Sequence, residues 1–116
     1  MNTQTIPFEA ATRQEGDNTI LILTGEINGL ADEALTTAYE QAEQALPARL
    51  VLDFTGVDYI NSTGIALIVG LLAQSRKTHR RLVVYGLSEH YVQIFQITRL
   101  SDFMDIFQDE TSALAA

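Results

Sequence analysis

The chain predicts an α/β domain built on a mixed sheet of four to five strands, and three observations carry that prediction. Short apolar runs rich in β-branched residues alternate with stretches of helical periodicity. The helical stretches are long enough to carry the chain from one parallel strand to the next. The first two strand candidates lie close enough in sequence to form a hairpin. Strands joined through helices take right-handed crossovers and pair in parallel. With so few helices, the pattern alone leaves open whether they cover one face of the sheet or both.

Taken in order, Thr5 to Gln14 reads as an edge strand, with Pro7 tolerated near its start. Glu15-Gly16-Asp17-Asn18 is a turn, and Thr19 to Thr24 (TILILT) is a strong strand. Gly25 to Gly29 reads as a loop in which Asn28 is the N-cap of a helix. Leu30, Ala34, Leu35, Ala38, Tyr39, Ala42 and Leu46 recur at helical spacing, with Asp32 and Glu33 suited to the positive first turn and Pro47 ending the run. Leu50-Val51-Leu52 is a buried strand closed by Asp53-Phe54-Thr55-Gly56. After the link Val57 to Ile60, the polar turn Asn61-Ser62-Thr63-Gly64 opens an apolar helix that finishes on Arg76-Lys77. Leu82 to Tyr85 is another buried strand, Ser88 caps a short helix to about Ile97, and Phe103 to Phe107 alternates like a last strand. The tail from Gln108 is a short helix or a frayed end.

Composition narrows the function. A length of 116 residues suits one domain with a single core, and 47% apolar residues exclude a disordered chain. No run is long enough to span a bilayer and no signal peptide is apparent, so the chain is expected to be cytoplasmic, without membrane insertion. Seven basic against fifteen acidic residues give a net charge of −8, which disfavours nucleic acid. Cysteine is absent, and neither His79 nor His90 has partners spaced for a catalytic triad. The glycines form no phosphate-cradling fingerprint, and Asp53, Asp58 and Asp102 lack metal-ligand spacing. No catalytic residue, metal or cofactor is expected.

The helix opening at Ser62 remains. Its amino terminus offers free backbone N–H groups and the positive end of the dipole, so the Ser62 hydroxyl is well placed to cap it and a phosphate there would be tolerated. On a helical wheel Ile65, Ile68, Val69 and Leu72 share a face expected to meet the sheet. Leu67, Leu71 and Gln74 fall opposite, flanked by Ala66 and Gly70, as a candidate partner-binding surface unless other helices of the same domain cover them.

The stretch LDFTGVDYINSTGIALIVGLL resembles the signature of the STAS domains of anti-sigma factor antagonists, in which an apolar strand and D-F lead into V-x-F/Y-I/M-D-S-S/T-G-L-G. GEIN is similar to the family's earlier G-E-L-D, and Leu82 to Ser88 to its late strand and following helix. The resemblance covers essentially the whole chain, 1–116, as a single STAS domain. It implies a STAS-like fold, with helices packed mainly on one face of the sheet. It also implies a partner that is both anti-sigma factor and ATP-dependent serine kinase, and a role in transcription regulation. Carried over by position, the phosphorylated residue is Ser62, with Thr63 the second choice. The partner-binding set is then Asn28, Asn61, Ser62, Thr63, Gly64, Leu67, Gly70, Leu71 and Gln74. Asn61 and Asn28 stand where the family has Asp, and Ala66 replaces a glycine. STAS-like domains also serve as fixed adaptor subunits of transporters or stress-signalling assemblies, and there the serine would be structural.

Overall fold

A computed structural model describes residues 6–115. Five strands lie in the order of the chain: β1 (Glu9–Glu15), β2 (Asn18–Ile27), β3 (Arg49–Ile60), β4 (Leu82–Tyr85) and β5 (Met104–Phe107). β1 runs antiparallel to β2 across the expected turn, and every later pairing is parallel. The helices are α1 (Asp32–Gln44), α2 (Ser62–Lys77), α3 (Glu89–Ile97) and α4 (Glu110–Ala115). The expected start of the first strand at Thr5 lies outside the described residues.

A sheet laid down in chain order with crossovers of one hand must place its crossover helices on one side. α1, α2 and α3 accordingly share one core with the sheet, in which Leu35 and Tyr39, Ile68 and Leu72, and Tyr91 and Phe95 pack on Leu21, Leu23, Leu52 and Val84. The opposite face has a smaller cluster, Ile20, Val51, Val83 and Tyr85, covered by Ala113 and Leu114 of α4. Glu110 fastens that terminal helix, accepting from Arg13 Nη2 at 2.8 Å and from the Tyr85 hydroxyl at 3.2 Å.

Two segments expected to be loops are strand. β2 continues through Gly25-Glu26-Ile27, and β3 through Asp53 to Ile60, as one long parallel ladder that ends on Ile27 opposite Ile60. Its register shifts twice, between Ile22 and Thr24 and between Gly25 and Glu26. Irregular ladders of this kind use residues that otherwise signal turns. Gly25 shows the reason: its φ is +86°, and a Cβ there would sit 2.2 Å from the Pro7 carbonyl oxygen.

Smaller differences have equally local causes. α1 begins at Asp32 because Gly29–Ala31 form a short 3-10 turn, capped by Asn28. Leu46, expected on the inner face of α1, lies past its end in the left-handed region (φ 51°) and is exposed. Phe103 leaves the last strand for a 3-10 turn, Leu100–Phe103, that precedes β5.

The end of the long ladder is clamped from α3. The Ile60 N–H donates to the buried Tyr91 hydroxyl at 2.8 Å, and that hydroxyl reaches back to the Ile60 carbonyl at 3.3 Å. Replacing Tyr91 by Phe keeps the ring but leaves both backbone groups without their partner. We expect Tyr91→Phe to lower stability by about 1–3 kcal/mol in urea unfolding with an unchanged m-value. A loss below about 0.5 kcal/mol would remove the clamp from this account.

Candidate functional site

The clamp fixes the chain at the point where β3 turns into α2. Directly after Ile60, the Asn61 N–H donates to the Ile27 carbonyl at 3.2 Å. Three residues on, α2 comes so close to that carbonyl that a Cβ on Gly64 would lie 2.1 Å from its oxygen. Only glycine fits there. The same approach sets Gly29 beside Thr63, where a Cβ would stand 3.5 Å from Thr63 Cγ2. Asn28, Asn61, Ser62, Thr63 and Gly64 are therefore gathered at one end of the sheet.

The two asparagines hold that end by capping. Asn61 Oδ1 accepts from the Gly64 N–H at 2.8 Å, and Asn28 Oδ1 from the Leu30 N–H at 2.9 Å. Asn28 also donates through Nδ2 to Glu26 Oε2 at 2.9 Å. An asparagine caps as well as an aspartate, so the site keeps its geometry without two negative charges. This corrects the expectation that Ser62 caps α2. Asn61 is the cap, Ser62 is the first helical residue, and its hydroxyl is exposed with no hydrogen-bond partner among the described residues.

The outward face of α2 also needs correction. Its buried residues are Gly64, Ile68, Leu71, Leu72 and Ser75, at i, i+4, i+7, i+8 and i+11. A wheel anchored on Ile65 misses this stripe because Gly64 has no side chain to count. Leu71 therefore lies in the core at 5% exposure, and Val69, expected inside, is 46% exposed. Leu67 and Gln74 are half-buried, and Ala66 and Gly70 are open. With Leu71 as part of the floor, these residues line one side of a shallow groove of about 180 Å³, whose other side is Asp32, Leu35, Thr36 and Tyr39 of α1.

Sequence reasoning missed Leu30. Placed on the inner face of α1, it instead tops the 3-10 turn after Asn28 and is 93% exposed. The signal was available: stepping back four from Leu35 reaches Ala31, which is buried, and leaves Leu30 outside the stripe. Tyr59, near the end of β3, is 52% exposed. The basic cluster Arg76, Lys77, Arg80 and Arg81 stands at the far end of α2, where Arg76 and Lys77 complement the dipole. Burial and the adjacent Glu43 raise the Tyr39 phenol well above its ordinary range, so it stays neutral and donates to Glu43 Oε2 at 2.8 Å.

An unengaged hydroxyl at a helix start, beside an exposed leucine and a small-residue groove, suits contact with another protein. Among the described residues no group of three or more His, Cys, Asp or Glu could hold a metal ion, and no helix is long and apolar enough to cross a membrane.

Comparison with known proteins agrees with this architecture. The family model for the STAS domain matches residues 9–113. The anti-sigma-B factor antagonist of Listeria monocytogenes serovar 1/2a is 31% identical over 93 residues, covering 80% of this chain and 82% of that protein. An anti-sigma factor antagonist from Mycobacterium paratuberculosis has the same fold, with a TM-score of 0.81 at 17% identity over 94% of this chain and 92% of that one. The phosphorylated form of the Bacillus cell fate determinant SpoIIAA matches with a TM-score of 0.67 at 19% identity, over 94% and 97% of the two chains. The chain belongs to the STAS domain family, among its anti-sigma factor antagonists.

The capping assignment separates two neighbouring residues. Asn61→Ala should cost about 1 kcal/mol of stability, and Ser62→Ala less than about 0.5 kcal/mol, compared by thermal or urea unfolding. The reverse ranking would return the cap to Ser62.

Proposed function

We propose that this protein binds an anti-sigma factor with ATP-dependent serine kinase activity while Ser62 is unmodified, and is released when Ser62 is phosphorylated. The observation that carries this reading is the freedom of the Ser62 hydroxyl. Asn61 does the capping, so modification of Ser62 costs the fold no hydrogen bond seen in the structure. The neutral Asn28 and Asn61 also leave less local negative charge to oppose an added phosphate. Two names among the similar proteins lend support: the Listeria relative is an anti-sigma-B factor antagonist, and SpoIIAA has a phosphorylated form.

The unmodified surface would dock through Leu30, the Ser62–Thr63 rim and the groove between α1 and α2. Gly70 and Ala66 let a partner element approach α2 closely, Leu67 gives it apolar contact above the buried Leu71, and Gln74 closes the far end. Phosphorylation adds about −1.5 to −2 charges beside that surface. An unpaired charge forced into an interface costs about 2–5 kcal/mol, which weakens binding by between one and four orders of magnitude. Because the α2 terminus tolerates an anion, the phosphate acts on affinity while the fold stays as it is.

We expect Ser62→Asp to fold normally and lose the partner, and Ser62→Ala to bind whether or not ATP is present. Leu30→Glu and Leu67→Glu should mimic the modification through desolvation, whereas Val69→Glu, on the other flank of α2, should bind as the parent does. Titration calorimetry with the partner decides each case, and Ser62→Asp retaining full affinity would sink the switch. Intact mass after incubation with cell extract and ATP gives an independent reading: one added phosphate on Ser62 supports the switch, and none supports a fixed adaptor.

A further inference from the structure

The end of the molecule remote from Ser62 carries a second constructed surface. α2 finishes in a two-bond terminator, the His79 N–H donating to the Arg76 carbonyl at 3.1 Å and the Arg80 N–H to the Ser75 carbonyl at 2.8 Å. The position after the cap in such a terminator is usually glycine; here it is His79, with φ +57°. The tight turn folds Arg76, His79, Arg80 and Arg81 back on one another. They line a broad, open cleft of about 480 Å³ that is bordered by Phe103. It adjoins a second concavity, of about 370 Å³, that shares His79, Arg80 and Arg81 and extends to Arg49, Val83 and Pro47.

The charges here are held in place. Arg80 donates to Glu43 at 3.2 Å and to the Pro47 carbonyl at 2.9 Å, and Arg81 to Asp105 at 2.8 Å and to the carbonyls of Asp102 and Met104. Arg76 has no ion pair among the described residues; its guanidinium lies 5.0 Å from the centroid of the Phe103 ring, which is 42% exposed. Among the described residues Glu43 and Asp105 are the carboxylates paired with these arginines, so two of the four positive charges of Arg49, Arg76, Arg80 and Arg81 have no carboxylate partner there. Those four are among only seven cations in a chain of net charge −8.

We propose that this cleft is a second docking site, for an extended acidic segment of a partner protein that also carries an apolar side chain. Charge complementarity selects the occupant. An acidic segment is repelled by most of this molecule and attracted to one end of it. Two adjoining concavities suit an extended ligand better than a compact anion, and the Phe103 wall offers an apolar contact between the guanidinium groups. Pre-fixed arginines lose little freedom on binding. Arg76 follows Ser62 by fourteen residues on one helix, about 21 Å, so both ends could be occupied together.

A fluorescein-labelled peptide of eight glutamates around a central phenylalanine probes the site by anisotropy. Binding should weaken at least about ten-fold between roughly 0.05 and 0.5 M salt, and about five-fold or more in each of Arg76→Gln and Phe103→Ala. Ser62→Asp should leave this affinity unchanged, which separates the result from the fate of the Ser62 switch. In the unsubstituted protein, peptide-induced amide shifts should centre on residues 76–81 and 103–105, so the test does not depend on the variants folding. Shifts centred on Asn61 to Gly64, affinity unaltered in both variants, or tighter binding of inorganic tripolyphosphate than of the peptide would each overturn the proposal.

Discussion

The far end of one strand pair governs the surface around Ser62. Ile27 and Ile60 close a long parallel ladder, and the backbone groups of these two residues are used more than once. The Ile27 carbonyl accepts from Asn61 and sits under Gly64, while the N–H and carbonyl of Ile60 are held by one buried phenol from α3. The turn carrying Leu30 and the helix start carrying Ser62 are thereby tied to the sheet, and their relative position is a property of the core. A rigid platform of this kind suits a switch by charge, because a change at its surface alters what docks before it alters what is folded.

The division of labour at the start of α2 follows from helix chemistry. A helix end needs an acceptor for its leading N–H groups, and Asn61 supplies it without a charge. Ser62, one position inside, has a hydroxyl the helix does not require. The same logic in reverse operates at the other end. There α2 stops in a left-handed residue, and the turn gathers cations that are sparse elsewhere in an acidic chain. One sixteen-residue helix thus separates an end with an exposed hydroxyl from a basic one.

Much of this was legible in the sequence, and the misses have physical causes. Short β-branched runs separated by helical periods gave the succession of strands and helices along the chain and a mixed sheet of four to five strands; that five strands lie side by side in chain order came from the structure. The resemblance carried by DFTGVDYINSTG pointed to Ser62. Strand length was misjudged at GEI and DFTG because a bulged ladder and a loop draw on the same residues, and only pairing between distant segments tells them apart. The inner face of α2 was misassigned because its key residue is a glycine: close backbone approach leaves no hydrophobic mark, so Leu71 looked outward and Val69 inward. Leu30 was hidden by a different ambiguity, since a 3-10 turn before a helix imitates one more helical turn. The capping error was smaller, one residue, but it matters most, because a serine that caps and a serine that waits carry different consequences.

The central claim is that a phosphate on Ser62 changes affinity and leaves the platform intact. Amide hydrogen exchange of the protein carrying phosphoserine at position 62, set beside the unmodified protein, tests it most directly. The account predicts unchanged protection at Ile27, Ile60 and Gly64 and along β2 and β3, together with lost affinity for the anti-sigma partner. Protection that collapses through this ladder on phosphorylation would mean that the modification acts by unfolding the platform, and would contradict it.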